Sequence, residues 1–84
     1  SLGQNVPNPF NENTSIAYYL PSTVKNASIN VYTTDGQNLT HFDALPTGRG
    51  SVTVSSGVLA PGAYLYNLVA DGKQIDSKWM IVTK

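Results

Sequence analysis

Few side chains in this sequence are able to do acid–base or nucleophilic chemistry. His41 is the only histidine and Glu12 the only glutamate. A serine nucleophile needs a base and an orienting acid, and such a site would draw on His41, Asp43 and one of several serines. No Gly-x-Ser-x-Gly elbow is present to expose that serine. His41 lies beside Phe42 in a short strand-like run, where a solvent-facing or sheet-edge histidine is the plainer reading. Catalysis by this chain is therefore disfavoured. A single histidine with no cysteine cannot furnish a usual zinc site. The aspartates Asp35, Asp43, Asp71 and Asp76 stand singly or at turns, without the clustered acidic loop that holds calcium. No catalytic, cofactor-binding or metal-binding residue is assigned, and no cofactor is expected.

Two further motifs have local explanations. Asn13, Asn26 and Asn38 each begin an Asn-x-Ser/Thr triplet, which chance produces readily in a chain with eight each of Asn, Ser and Thr. The run Pro7-Asn8-Pro9-Phe10-Asn11 is more distinctive. Its prolines fix φ and withhold amide donors, so an extended segment ending before the first strand is expected. Phe10 would plug the edge of the core while Asn8 and Asn11 bond local backbone. The Asn-Pro-Phe triplet also occurs as a ligand for some eukaryotic adaptor domains, but the capping role is preferred.

The elements that must carry these residues are strands. Gly and Pro interrupt the chain so often that its longest stretch without either, Ser22 to Asp35, has 14 residues. No stretch shows amphipathic-helix spacing, whereas several alternate with the period of two that puts successive side chains on opposite faces. Strands are expected at residues 14–20, 27–34, 37–42, 51–55, 57–59, 63–70 and 73–83. Ile16, Tyr18 and Leu20 share one face, as do Ala27, Ile29, Val31 and Thr33. Arg49, between Gly48 and Gly50, is assigned to a loop.

Asp35-Gly36 and Asp71-Gly72 mark two hairpins, since a two-residue type I′ turn needs positive φ at both central positions. With such a turn at Asp71-Gly72, Ala70 faces Lys73, Leu68 faces Ile75 and Tyr64 faces Trp79. The core face then holds Tyr64, Tyr66, Leu68, Ile75, Trp79 and Ile81. A single bulge would exchange Trp79 for Met80.

An all-β, antiparallel immunoglobulin-like β-sandwich of about six or seven short strands accommodates this pattern. Eighty-four residues form one domain. Leu, Ile, Val and Phe make up a quarter of the chain, enough for a small core. Five basic residues balance five acidic ones, which argues against a nucleic-acid partner. No apolar run reaches the length of a membrane-spanning helix. The low charge of 12%, with Ser, Thr and Asn as the main polar residues, suits an extracytoplasmic module.

Taken in order, four segments resemble the type IX secretion system C-terminal sorting domain (type A) of Bacteroidetes-group bacteria. They are Gln4-Asn5-Val6-Pro7-Asn8-Pro9-Phe10-Asn11 with Thr14-Ser15-Ile16 and Tyr19-Leu20-Pro21; Ala27-Ser28-Ile29-Asn30-Val31-Tyr32 with Gly36 and Leu39; Leu59-Ala60-Pro61-Gly62-Ala63-Tyr64-Leu65-Tyr66; and Asp71-Gly72-Lys73 with Ser77-Lys78-Trp79-Met80-Ile81-Val82-Thr83-Lys84. Two positions depart from the family pattern. Thr33 stands where an acid is common, and Trp79 replaces the second of two basic residues before the terminal Met.

The resemblance implies a non-catalytic signal that directs a periplasmic cargo protein across the outer membrane. The implied partners are the type IX outer-membrane translocon and its shuttle components, a sortase-like cysteine protease that removes the domain, and an N-terminal cargo in cis. The implied path is transit through the periplasm, then the cell surface or secretion. On this reading residues 1–6 are a flexible linker from a missing N-terminal cargo, and 7–84 are the sorting domain. Gly62, Tyr64, Lys78, Met80, Ile81, Val82 and Lys84 are the candidate recognition residues, with Asp35, Gly36, Asp71 and Gly72 as structural turns. Lys78 and Met80 are expected to point outward, and Tyr64 and Ile81 to hold the last hairpin to the core. The rival readings are a structural or adhesive module, and a carbohydrate-binding module that stacks sugars on Tyr18, Tyr19, Tyr32 or Trp79.

Overall fold

A computed structural model describes residues 1–55, 57 and 59–83. Six strands follow one another: β1 (Asn13–Leu20), β2 (Ala27–Tyr32), β3 (Asn38–Phe42), β4 (Gly48–Ser55), β5 (Gly62–Ala70) and β6 (Lys73–Val82). They form two antiparallel sheets, β1-β4 and β3-β2-β5-β6. The all-β sandwich expected from the alternation is what the chain builds. Of the strand expected at 57–59, Gly57 and Leu59 are not in a strand, and Val58 lies outside the described residues.

Alternation produces the core directly. On β1, Thr14, Ile16, Tyr18 and Leu20 are buried while their neighbours are exposed. Ala27, Ile29 and Val31 of β2 and Tyr64, Tyr66, Leu68 and Ala70 of β5 meet Ile16, Tyr18 and Leu20 in one cluster that also takes in Val54 from β4. Residues of both sheets therefore share a single apolar layer, the arrangement that lets a two-layer domain bury one face of each sheet.

Three expectations require correction. Arg49 is not in a loop: β4 begins at Gly48, and Arg49 pairs with Tyr19 of β1. The turn at Asp35-Gly36 is not of the two-residue type, because only Gly36 has positive φ. Its N–H donates to the Thr33 carbonyl, and the Thr33 N–H closes a wider loop onto the Gln37 carbonyl. The first six residues are not a free linker. Leu2 and Asn5 are buried, and the backbones of Ser1, Gly3 and Val6 bond those of Tyr19, Ala17 and Ser15 along β1. The edge of β1 offers unpaired amides and carbonyls, and this segment satisfies them.

The Pro-rich run behaves differently from the extended segment expected of it. Residues 7–9 bend, so that Val6 pairs with Ser15 of β1 and Phe10 with Val82 of β6. Phe10 is buried in the common core, as its capping role requires. The N-terminal segment thus runs from the edge of one sheet to the edge of the other.

Candidate functional site

The last hairpin, β5 and β6, carries most of the candidate recognition residues, and its turn has the geometry expected from the Asp-Gly pair. Asp71 and Gly72 have φ of 50° and 82°, the two positive values a type I′ turn demands. The Asp71 carboxylate accepts hydrogen bonds from the backbone N–H groups of Lys25 (3.1 Å) and Asn26 (2.9 Å). The Asp71 N–H donates to the Asn26 carbonyl at 2.7 Å. This turn is therefore moored to the β1–β2 connection. At the other end Gly62 has φ of 146°, a conformation that favours glycine, and it admits the chain into β5.

The register of the hairpin is shifted by one residue from the simple expectation. Ala70 does face Lys73, but a bulge lies between Leu68 and Val69, so that Leu68 faces Asp76 and Tyr64 faces Met80. Because side chains alternate, this slip exchanges the two faces of β6 beyond the bulge. Met80, expected to point outward, is completely buried, and Val82 is buried beside it. Trp79 and Ile81, expected in the core, are 52% and 36% exposed, and Ile75 is exposed as well. Apolar side chains stand on both faces of β6, so burial alone does not choose between registers.

Of the other candidates, Tyr64 is buried as expected and donates its hydroxyl to the Ala60 carbonyl. Lys78 is half-buried opposite Tyr66 on the core side of β6, so it is not the outward-facing charge expected of it. Lys84 lies outside the described residues. His41 is solvent-facing, as expected, with Nδ1 2.9 Å from the Asp43 carboxylate.

The free edge of β6 is closed by residues that the sequence reading placed elsewhere or gave no role here. The Gln4 side chain donates to the Trp79 carbonyl (2.7 Å), and the Ile81 N–H donates to Asn8 Oδ1 (2.9 Å). The Phe10 N–H donates to the Ile81 carbonyl (3.0 Å), and the Thr83 N–H donates to the Phe10 carbonyl (2.9 Å). The Asn8 and Phe10 positions were legible as a local cap, but nothing in the spacing tied them to a strand some seventy residues later.

The outer face of the larger sheet was legible only in part, through Tyr32 and Trp79 of the sugar-stacking alternative. Tyr32 pairs with Leu65, and Leu65 with Trp79, which sets an apolar row across three strands. Beside it runs an amide ladder. Asn30 Nδ2 donates to Ser28 Oγ and Asn67 Oδ1, and Asn67 Nδ2 donates to Gln74 Oε1. The row would have been legible from the strand pattern had the bulge been placed.

Among the described residues, no group of three or more His, Asp or Glu side chains is placed to hold a metal ion, and no helix is long and apolar enough to cross a membrane. No curated protein and no solved structure matches the chain. A family model described as the secretion system C-terminal sorting domain matches residues 6–82. That match spans all six strands, and the chain belongs to this family, the C-terminal sorting signals of type IX secretion.

Proposed function

We propose that this sorting signal is read as a folded module, through its last hairpin, by the type IX outer-membrane translocon and its shuttle components. The observation that supports this is the burial of Met80 and Val82 in the common core. A receptor that bound β6 as a loose tail would first have to extract both side chains. The module carries out no chemistry of its own. Its cargo passes through the periplasm before reaching the cell surface or the medium.

A sortase-like cysteine protease removes the domain from its cargo. Residues 7–84 constitute the sorting domain, and residues 1–6 are the stretch that joins it to the cargo. Proteases favour exposed, poorly ordered segments. Because Ser1, Gly3 and Val6 are all bonded to β1, the scissile bond lies on the cargo side of Ser1. Within the hairpin, Gly62 and Tyr64 set the approach to β5, Met80 and Val82 hold β6 in register with half-buried Lys78 on the same side of the strand, and Ile81 and Lys84 complete the signal.

The test is a fusion of residues 1–84 to a periplasmic fluorescent reporter in a host that has this machinery. The reporter is expected on the cell surface or in the medium, and in the periplasm of a host lacking the machinery. Removing residues 73–84 is expected to retain it. Equal export of the shortened fusion would overturn the proposal.

A further inference from the structure

We infer that the surface the secretion machinery reads is the outer face of the four-stranded sheet, centred on the row Tyr32–Leu65–Trp79 with Ile81 beside it, and that its partner is an uncharged, apolar protein surface. This inference rests on the sorting function and assigns a place to it. The last hairpin offers three surfaces to a reader, and around Trp79 and Ile81 two are closed. Its inner face is core, with Tyr64, Met80 and Val82 buried. The edge of β6 is covered from Trp79 to Thr83 by Gln4, Asn8 and Phe10. Along this covered half of β6, only the outer face presents side chains.

The chemistry of that face determines what fits it. Adjacent strands lie about 4.8 Å apart, so the row from Tyr32 to Trp79 spans about 10 Å. Trp79 and Ile81 stand two residues apart on one strand, both exposed, and Leu65 is half-buried between Tyr32 and Trp79. None of the residues in the row is charged, and Lys78 lies on the opposite side of β6. Exposed aromatic and aliphatic side chains grouped in this way mark association sites, and aromatic anchors carry most of the affinity of protein interfaces. A sugar platform would need hydrogen-bonding groups beside its aromatics. Of the amides on this face, those of Asn30, Asn67 and Gln74 already bond one another, which leaves Asn38, opposite Tyr32, at one end of the row.

Four single substitutions in the reporter fusion test this: Trp79→Lys, Tyr32→Lys, Trp79→Phe and Lys78→Gln. The two lysine substitutions place a charge in the row from different strands and are expected to cut export by about tenfold or more, as loss of an interface anchor does. Trp79→Phe, which keeps a smaller aromatic ring in the row, is expected to export between the parent and Trp79→Lys, and Lys78→Gln, outside the row, within about twofold of the parent. Circular dichroism and melting of each purified 84-residue chain show whether it is folded. Should Trp79→Lys unfold, Tyr32→Lys, which lies outside the hairpin, decides the matter.

Normal export of folded Trp79→Lys or Tyr32→Lys would overturn the inference, and so would loss of export with Lys78→Gln alone. Trp79 is the single tryptophan, so its fluorescence reports on ligands at this face. A spectral shift with cell-surface polysaccharide from the same host, together with normal export of the lysine variants, would make the face a sugar platform and overturn the inference. Retention of the parent fusion would instead overturn the sorting reading on which the inference stands.

Discussion

Tyr66 shows how much one side chain decides. Its ring is fully buried in the core, and its hydroxyl accepts the Asn5 N–H at 2.9 Å and donates to the Gly3 carbonyl at 2.8 Å. One oxygen thereby holds the N-terminal segment onto β5. Tyr66→Phe keeps the ring but leaves the buried Asn5 N–H without its acceptor, a loss of roughly 1–3 kcal/mol. In a domain of this size each kcal/mol lowers the melting temperature by about 4–8 °C. Burial pushes the Tyr66 phenol up, the Asn5 N–H opposes this, and the charge of Asp76 adds to the rise. Its neutral form is thus favoured in the folded state. That contribution to stability is complete below about pH 10 and is lost as pH climbs through the raised folded value. Urea midpoints measured from pH 8 to 11 are expected to fall more steeply for the parent than for Tyr66→Phe. Period-two alternation places Tyr66 inward, but it does not reveal a hydroxyl partner 61 residues earlier.

At the scale of the element, the β5–β6 hairpin shows a turn that is local and a register that is not. Asp71-Gly72 supplies its own positive φ values, so the turn is legible in two letters. The bulge between Leu68 and Val69 is not, because Ile75, Trp79 and Ile81 would suit a core face as well as Met80 and Val82 do. Packing makes the choice: Met80 and Val82 are buried between the sheets, and Trp79 is left half in water. Met80→Ala is accordingly expected to cost about 2–5 kcal/mol, the range for emptying a buried Met site. Trp79→Ala should cost well under half of that, since half of its surface is already in water. Chemical denaturation of the two variants checks the register. Equal losses would show that Trp79 is packed in the core.

At the scale of the whole molecule, a small domain has to close its sheet edges with little material. A chain of this length has a net stability of only about 4–13 kcal/mol, and unpaired edges invite association. The N-terminal segment answers both needs, pairing with β1 through Leu2 and Val6 and with β6 through Phe10. Phe10→Ala is expected to cost about 3–5 kcal/mol, a large share of the total. It should also speed hydrogen exchange at the Ile81 and Thr83 amides, which bond to Asn8 and Phe10. Exchange at those two amides matching the parent would show that Phe10 does not secure the edge of β6.

What the sequence determined alone is whatever depends on neighbours within a few residues. Alternation set the six strands and the inward faces of β1, β2 and β5. The Asp71-Gly72 pair set the last turn, and four ordered motifs set the family. What only the tertiary structure decided depends on contacts between distant parts of the chain. It placed Met80 inside and Trp79 outside, laid residues 1–6 along β1, and brought Asn8 and Phe10 onto the edge of β6. The physical reason is that an apolar residue carries its tendency to be buried wherever it stands, whereas the space that receives it and the backbone groups left to be paired exist only once the two sheets have met.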